Sequence, residues 1–156
     1  MKRLLSILFT LTLSTAAFAQ RYTPTQRRED RLDEANNVRL FRAVDGTYFD
    51  FENDAATQSA VSYLNVLDWL QGRVAGLQLY RVRGVPVPFL RNQPASIFID
   101  EIAMDPSVLN LIPVQDIALV KVMRSPVMVG ARTLPGGAIA IYTKNGEEEE
   151  ETPEAR

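Results

Sequence analysis

Apolar residues recur at helical spacing in one stretch of this chain and at strand spacing in several others. In "SYLNVLDWLQGRVAG", residues 62–76, Val66, Leu70 and Val74 fall at i, i+4 and i+8, and Leu67 widens the stripe. Asn65 is the expected N-cap, and Asp68 follows three residues on, close to a capping box. Gly72 is expected inside this helix at a packing contact. Gly76 is expected at C′, where the chain turns left-handed. "LQLYRVR", "SIFIDEIAM", "DIALVKVM" and "AIAIYT" read as strands, and residues 106–112 as a short helix with Pro106 in its first turn. "GVPVPFLRNQPA" carries three prolines and reads as a loop or edge segment, because proline cannot donate to a ladder. Before the main helix, "NVRLFRAVDGTYFDFEN" places the dipeptide Asp45-Gly46 between two alternating runs. This predicts an additional N-terminal hairpin over 38–52. The expected fold is α+β: a small mixed sheet of about four strands with one main and one short helix, covered on one face.

The ends of the chain differ from this middle. "MKRLLSILFTLTLSTAAFAQ" has a basic start, an apolar run and the small-x-small triplet Ala17-Phe18-Ala19, the three parts of a cleavable signal peptide over 1–19. Its apolar run is too short to span a bilayer. Residues 20–37 are polar and arginine-rich and read as a flexible leading segment. Residues 147–156, "EEEEETPEAR", read as a solvated acidic tail.

Composition narrows the chemistry. The chain has no cysteine and no histidine, which removes disulfides, thiolate nucleophiles, the commonest general base and the usual zinc ligands. Of 17 basic residues two lie in the leader, leaving 15 against 19 acidic ones. That balance argues against a nucleic-acid partner. Asp100 and Glu101 are adjacent acids, which on one strand would point to opposite faces, and a strand-end turn is their simpler reading. "DFEND" lacks the glycine and glutamate of a calcium loop, and "LPGGA" lacks the lysine of a phosphate loop. Gly136 and Gly137 are expected to make the turn into the last strand. Lys121, Lys144 and Asp45 read as surface charges. No catalytic, cofactor or metal constellation emerges, and the chain is not expected to be an enzyme.

Four segments in series resemble the plug domain of TonB-dependent outer-membrane receptors, in the form common in the Bacteroidota. "LQGRVAG" (70–76) resembles the plug's helix end. "SIFIDEIAM" resembles the strand that closes in Asp-Gly, and "IPVQDIALVKVMRSP" the Ile-Pro-x-x-Asp-Ile segment and its strand. "VGARTLPGGAIAIYTKNG" resembles the final strand and its exit. The resemblance covers residues 64–146. It departs at Glu101 and Ser125, where glycine is usual, and at Ala118 and Lys121, where acids are usual. In the family a β-barrel follows the plug, whereas ten residues follow Gly146 here. The resemblance therefore implies a free-standing plug-like domain in the periplasm, not inserted in the membrane itself, that docks on an outer-membrane β-barrel or a complex built on one. Val85, Val87, Phe89 and Leu90, with Arg81 and Arg83, are the expected partner contacts. The alternative is a soluble periplasmic binding module for a chelate or an oligosaccharide. No cofactor is expected on either reading, and the oligomeric state is left open.

Overall fold

The computed structural model of the chain describes residues 24–124 and 126–144. The leader, residues 20–23 and the acidic tail lie outside the described residues. The main sheet has five strands in the order β1 (Thr47–Asp50), β7 (Ile117–Met123), β10 (Ala138–Thr143), β5 (Ser96–Ile99) and β6 (Ile102–Met104). Only β10 and β5 run parallel, and every other neighbour is antiparallel. A smaller sheet holds β2 (Leu77–Val82), β3 (Val85–Leu90) and the two-residue β4 (Gln93–Pro94), and β8 (Val127–Val129) pairs with β9 (Arg132–Leu134). The fold is α+β with a mixed sheet.

Alternation along the central strands sends side chains to two cores rather than one. Ile97, Ile99, Val120, Val122, Ile139 and Ile141 meet Leu67, Trp69 and Leu70 of helix α2 (Val66–Leu70). Fully burying a side chain of this size stabilises by about 1.5–3 kcal/mol, so this side carries much of the fold's stability. On the other face Phe98, Leu119, Met123, Ala138, Ala140 and Tyr142 meet Val38 and Phe41. The expectation of one covered face was therefore wrong. The second cover is the N-terminal region, which holds helix α1 (Pro24–Ala35) where a flexible polar segment was expected. That helix buries a polar residue, Asp33, so its sequence shows no apolar stripe.

Asn65 caps α2 as expected, its Oδ1 accepting from the Leu67 N–H at 2.9 Å. Its Nδ2 donates to Asn110 Oδ1 at 2.9 Å and ties the helix start to the 3₁₀ turn at 106–110. Asn65→Ala is expected to lower stability by about 1 kcal/mol in chemical denaturation. The helix is shorter than its periodicity predicts. Gly72 has φ +88° and open space around it, so it ends the helix by its backbone rather than packing inside it. Gly76, with φ +80°, leads directly into β2.

The Asp45-Gly46 hairpin does not form. Residues 40–43 make turns, β1 pairs with β7, and neither Asp45 nor Gly46 has the positive φ that the turn requires. Gly46 is instead packed tightly on the sheet, where a Cβ would lie 3.1 Å from Lys121 Cγ. Three other hairpins carry the left-handed pair: Arg83-Gly84, Arg91-Asn92 and Asp100-Glu101.

The first of these joins β2 to β3, so "VPVPFL" is a strand and not a loop. Pro88 turns its carbonyl to the Ala95 N–H at 2.9 Å, away from β2. By alternation the missing N–H groups of Pro86 and Pro88 both fall on the side that β4 leaves mostly open, so no β2–β3 bond is lost.

Candidate functional site

Three features stand out from the scaffold: the outer face of the β2–β3 hairpin, a buried ion pair, and a cleft beside the 100–101 turn.

Alternation splits the expected contact residues between the two faces of the hairpin. Pro86, Pro88 and Leu90 face inward. Leu90 is core, not a contact, and this corrects its assignment. Val85, Val87 and Phe89 are half-buried on the outer side, where cross-strand pairing sets them beside Val82, Tyr80 and Gln78. Tyr80 is 51% exposed and Val82 55%. The Tyr80 and Phe89 rings meet edge to face at 4.9 Å, which stiffens the apolar face. Arg83 lies in the exposed turn at the tip, while Arg81 reaches Asp68 at 3.4 Å. Between Asp68 and Asp100 the chain has arginines but no acid.

Lys121, read as a surface charge, is completely buried. Its Nζ lies 3.5 Å from both Asp33 carboxylate oxygens, donates to the Phe41 carbonyl at 2.6 Å and sits 4.5 Å from the Tyr48 ring centre. The Tyr48 hydroxyl donates to Asp33 at 2.9 Å. Burial raises the Asp33 pKa and lowers that of Lys121, and each partner's charge opposes the shift of the other. Burial and the bond to Asp33 raise Tyr48. The cluster fastens α1 and the 38–46 segment to the sheet. A lysine inside the otherwise apolar run "ALVKVM" was the visible signal for it. Asp33, in a helix with Leu32 as its one large apolar residue, had none.

The cleft has a volume of about 500 Å³ and opens between the end of α1 and the sheet, lined by Asn36, Asn37, Arg39, Glu52, Asp100, Glu101, Tyr142 and their neighbours. The two adjacent acids are the turn itself, so both line this one cleft instead of pointing to opposite faces of a strand. Asp100 accepts from the Thr143 N–H at 2.9 Å and from its hydroxyl at 2.8 Å. Glu101 Oε1 accepts from the backbone N–H of Arg39 and, at 2.7 Å, of Leu40. Asn37, Asp100 and Glu101 all have left-handed φ, from 47° to 69°, and such strained non-glycine backbone gathers at functional sites. A register shift at Tyr142 and Thr143, opposite Ala118, bends the strands at the same place. Tyr142 is 3% exposed, and its hydroxyl has no hydrogen-bond partner among the described residues. Burial raises its pKa, and the nearby Glu101 carboxylate raises it further, by its charge and as a hydrogen-bond acceptor outside ideal geometry. An unsatisfied buried hydroxyl costs about 1–3 kcal/mol.

Gly136 lies where the last turn meets the hairpin: a Cβ there would fall 2.1 Å from the Pro94 carbonyl oxygen. Gly137 has φ +74°, and its N–H donates to Leu134 at 3.1 Å. Among the described residues no three acidic side chains are grouped to hold a metal ion, and no helix is long and apolar enough to cross a membrane. No family model, curated protein or solved structure matches the chain.

Proposed function

We propose that this protein is an exported, non-catalytic interaction domain of the receptor-plug type, which docks on an outer-membrane β-barrel, or a complex built on one, from the periplasmic side. The observation that carries the reading is the outer face of the β2–β3 hairpin. A small sheet that buries one side presents Tyr80, Val82, Val85, Val87 and Phe89 on the other, with Arg83 at its tip. Contiguous apolar side chains in a polar surround, with an aromatic pair and arginine, are the composition of a protein interface. The segment resemblance over 64–146 supplies the kind of partner. Tagged protein isolated from its own cells should co-purify with an outer-membrane barrel, and Val82→Glu with Val87→Glu should abolish recovery without lowering Tm. Recovery only as a lone soluble monomer, or unchanged co-purification of the double variant, would contradict the reading.

A second reading, a periplasmic ligand-binding module, is favoured by one specific observation. The cleft beside the 100–101 turn has the size of a small-molecule site and is lined mainly by polar side chains.

A further inference from the structure

Resting on the first reading, we infer that the partner docks by strand addition: an extended segment of alternating acidic and β-branched residues pairs antiparallel with the free edge of β2. β2 is the outer strand of its sheet, with β3 on its one paired side. The register fixes which of its backbone groups point outward. Pro88 turns its carbonyl to Ala95, away from β2, and its cross-strand partner is Leu79. Opposite residues of an antiparallel ladder exchange both bonds or neither. Leu79 therefore turns its N–H and C=O away from β3, and so do Leu77 and Arg81, two residues to either side. The Leu77 N–H agrees, donating to the Val74 carbonyl at 3.1 Å. The Leu77 carbonyl and both backbone groups of Leu79 and Arg81 have no partner among the described residues.

An open edge invites pairing with another chain, and proteins blunt the edges they do not use. The opposite edge of this sheet is blunted: Pro86 and Pro88 remove donors from it, and β4 pairs with part of it. β2 carries no proline, and its ladder with β3 runs without a bulge from Leu77 to Val82. The open edge also borders the exposed Tyr80 and Val82, so an added strand extends their apolar face.

Charge selects the occupant. Arg73, Arg81, Arg83 and Arg91 are the charged residues between Asp68 and Asp100, and Arg83 and Arg91 have no acidic partner among the described residues. Opposite residues share a face. An incoming residue opposite Arg81 lies beside its guanidinium, which calls for an acid. One opposite Tyr80 or Val82 lies on the apolar face, which calls for a β-branched side chain. A second copy would bring arginines to arginines. The chain's own glutamates at 147–151 carry the charge without the alternation.

The test follows hydrogen exchange of the Leu79 and Arg81 amides by NMR in the full chain, while an end-blocked Val-Glu-Val-Glu-Val-Glu-Val peptide is added. Saturable slowing of both amides is expected. N-methylating the peptide's glutamates should weaken the midpoint about tenfold or more, because those N–H groups donate to β2. N-methylating its valines should leave it unchanged, and a lysine-for-glutamate peptide should not bind. Read at Leu79, Arg81→Ala should weaken binding about threefold, as loss of an exposed charge pair does. Arg81→Pro should weaken it about tenfold or more, since it also removes an outward N–H. The peptide series keeps the test valid should Arg81→Pro fail to fold. No saturable slowing, equal binding of the two methylated peptides, or binding of the lysine peptide overturns the inference. A dimer of the chain that Arg81→Pro dissociates gives the edge to a second copy and overturns it as well. A barrel that still co-purifies while the peptide series fails removes strand addition and leaves the docking reading standing. Peptide binding without recovery of any barrel keeps the edge site and removes the barrel as its partner.

Discussion

Replacing Lys121 by methionine is expected to destabilise the protein by about 3–5 kcal/mol, because it leaves the Asp33 carboxylate buried without its counter-charge. The Asp33 and Lys121 side chains are 1% and 0% exposed, so solvent does little to soften the loss. The double variant Asp33→Leu with Lys121→Met should recover most or all of that stability, since a well-packed apolar pair often matches a buried ion pair. The coupling between the two sites would then be as large as the single effect, and urea denaturation of the four proteins measures it. The pH dependence has a definite sign. Asp33 is raised, so its contribution is fully present below the ordinary carboxylate pKa and is lost as pH rises through its folded value. Lys121 is lowered, so its contribution is present above the ordinary lysine pKa and is lost as pH falls through its folded value. Between the two, both groups are charged at a cost that the pair offsets. Lys121→Met removes the offset and raises Asp33 further. The variant should therefore regain stability relative to wild type on mild acidification. Glu29, Arg42 and Asp45 also act on the pair and moderate the shifts.

The second large effect is expected at Gly136. Gly136→Ala would set a Cβ 2.1 Å from the Pro94 oxygen and 2.6 Å from its carbon. These are backbone atoms of the link between the hairpin and β5, so relief requires the two segments to separate. A cost of about 3 kcal/mol is expected, at the upper end for overpacking. Gly72→Ala provides the comparison, with no atom within 4 Å and only the left-handed φ to resist it, and should cost about 1–2 kcal/mol. Thermal unfolding of the two variants should rank them in that order.

These positions also mark where the sequence was legible. The apolar strands β2, β5, β7 and β10, the Asn65 cap and the 3₁₀ turn at Pro106 follow local rules, and each formed near its expected place. The N-terminal layer was not legible. Its helix is anchored by Asp33 rather than by an apolar stripe, and its partner Lys121 lies 88 residues away. The hairpin turns were hidden for a related reason. Arg-Asn and Asp-Glu pairs adopt left-handed geometry here because surrounding bonds hold them, as Asp100 and Glu101 hold Thr143, Arg39 and Leu40. Asp45-Gly46 had the right spelling, but β1 found a longer partner in β7. The candidate cleft is assembled from residues spread between Ala35 and Thr143, and no single stretch announces it.

The central claim is that the outer hairpin face meets an outer-membrane barrel. A photo-crosslinking residue placed at Tyr80 tests it most directly, with the same residue at Met128 as control, since Met128 is 72% exposed on a different sheet. Irradiation in intact cells should yield an adduct between position 80 and a barrel protein, with none from position 128. No adduct from position 80, or equal adducts from both, would contradict it.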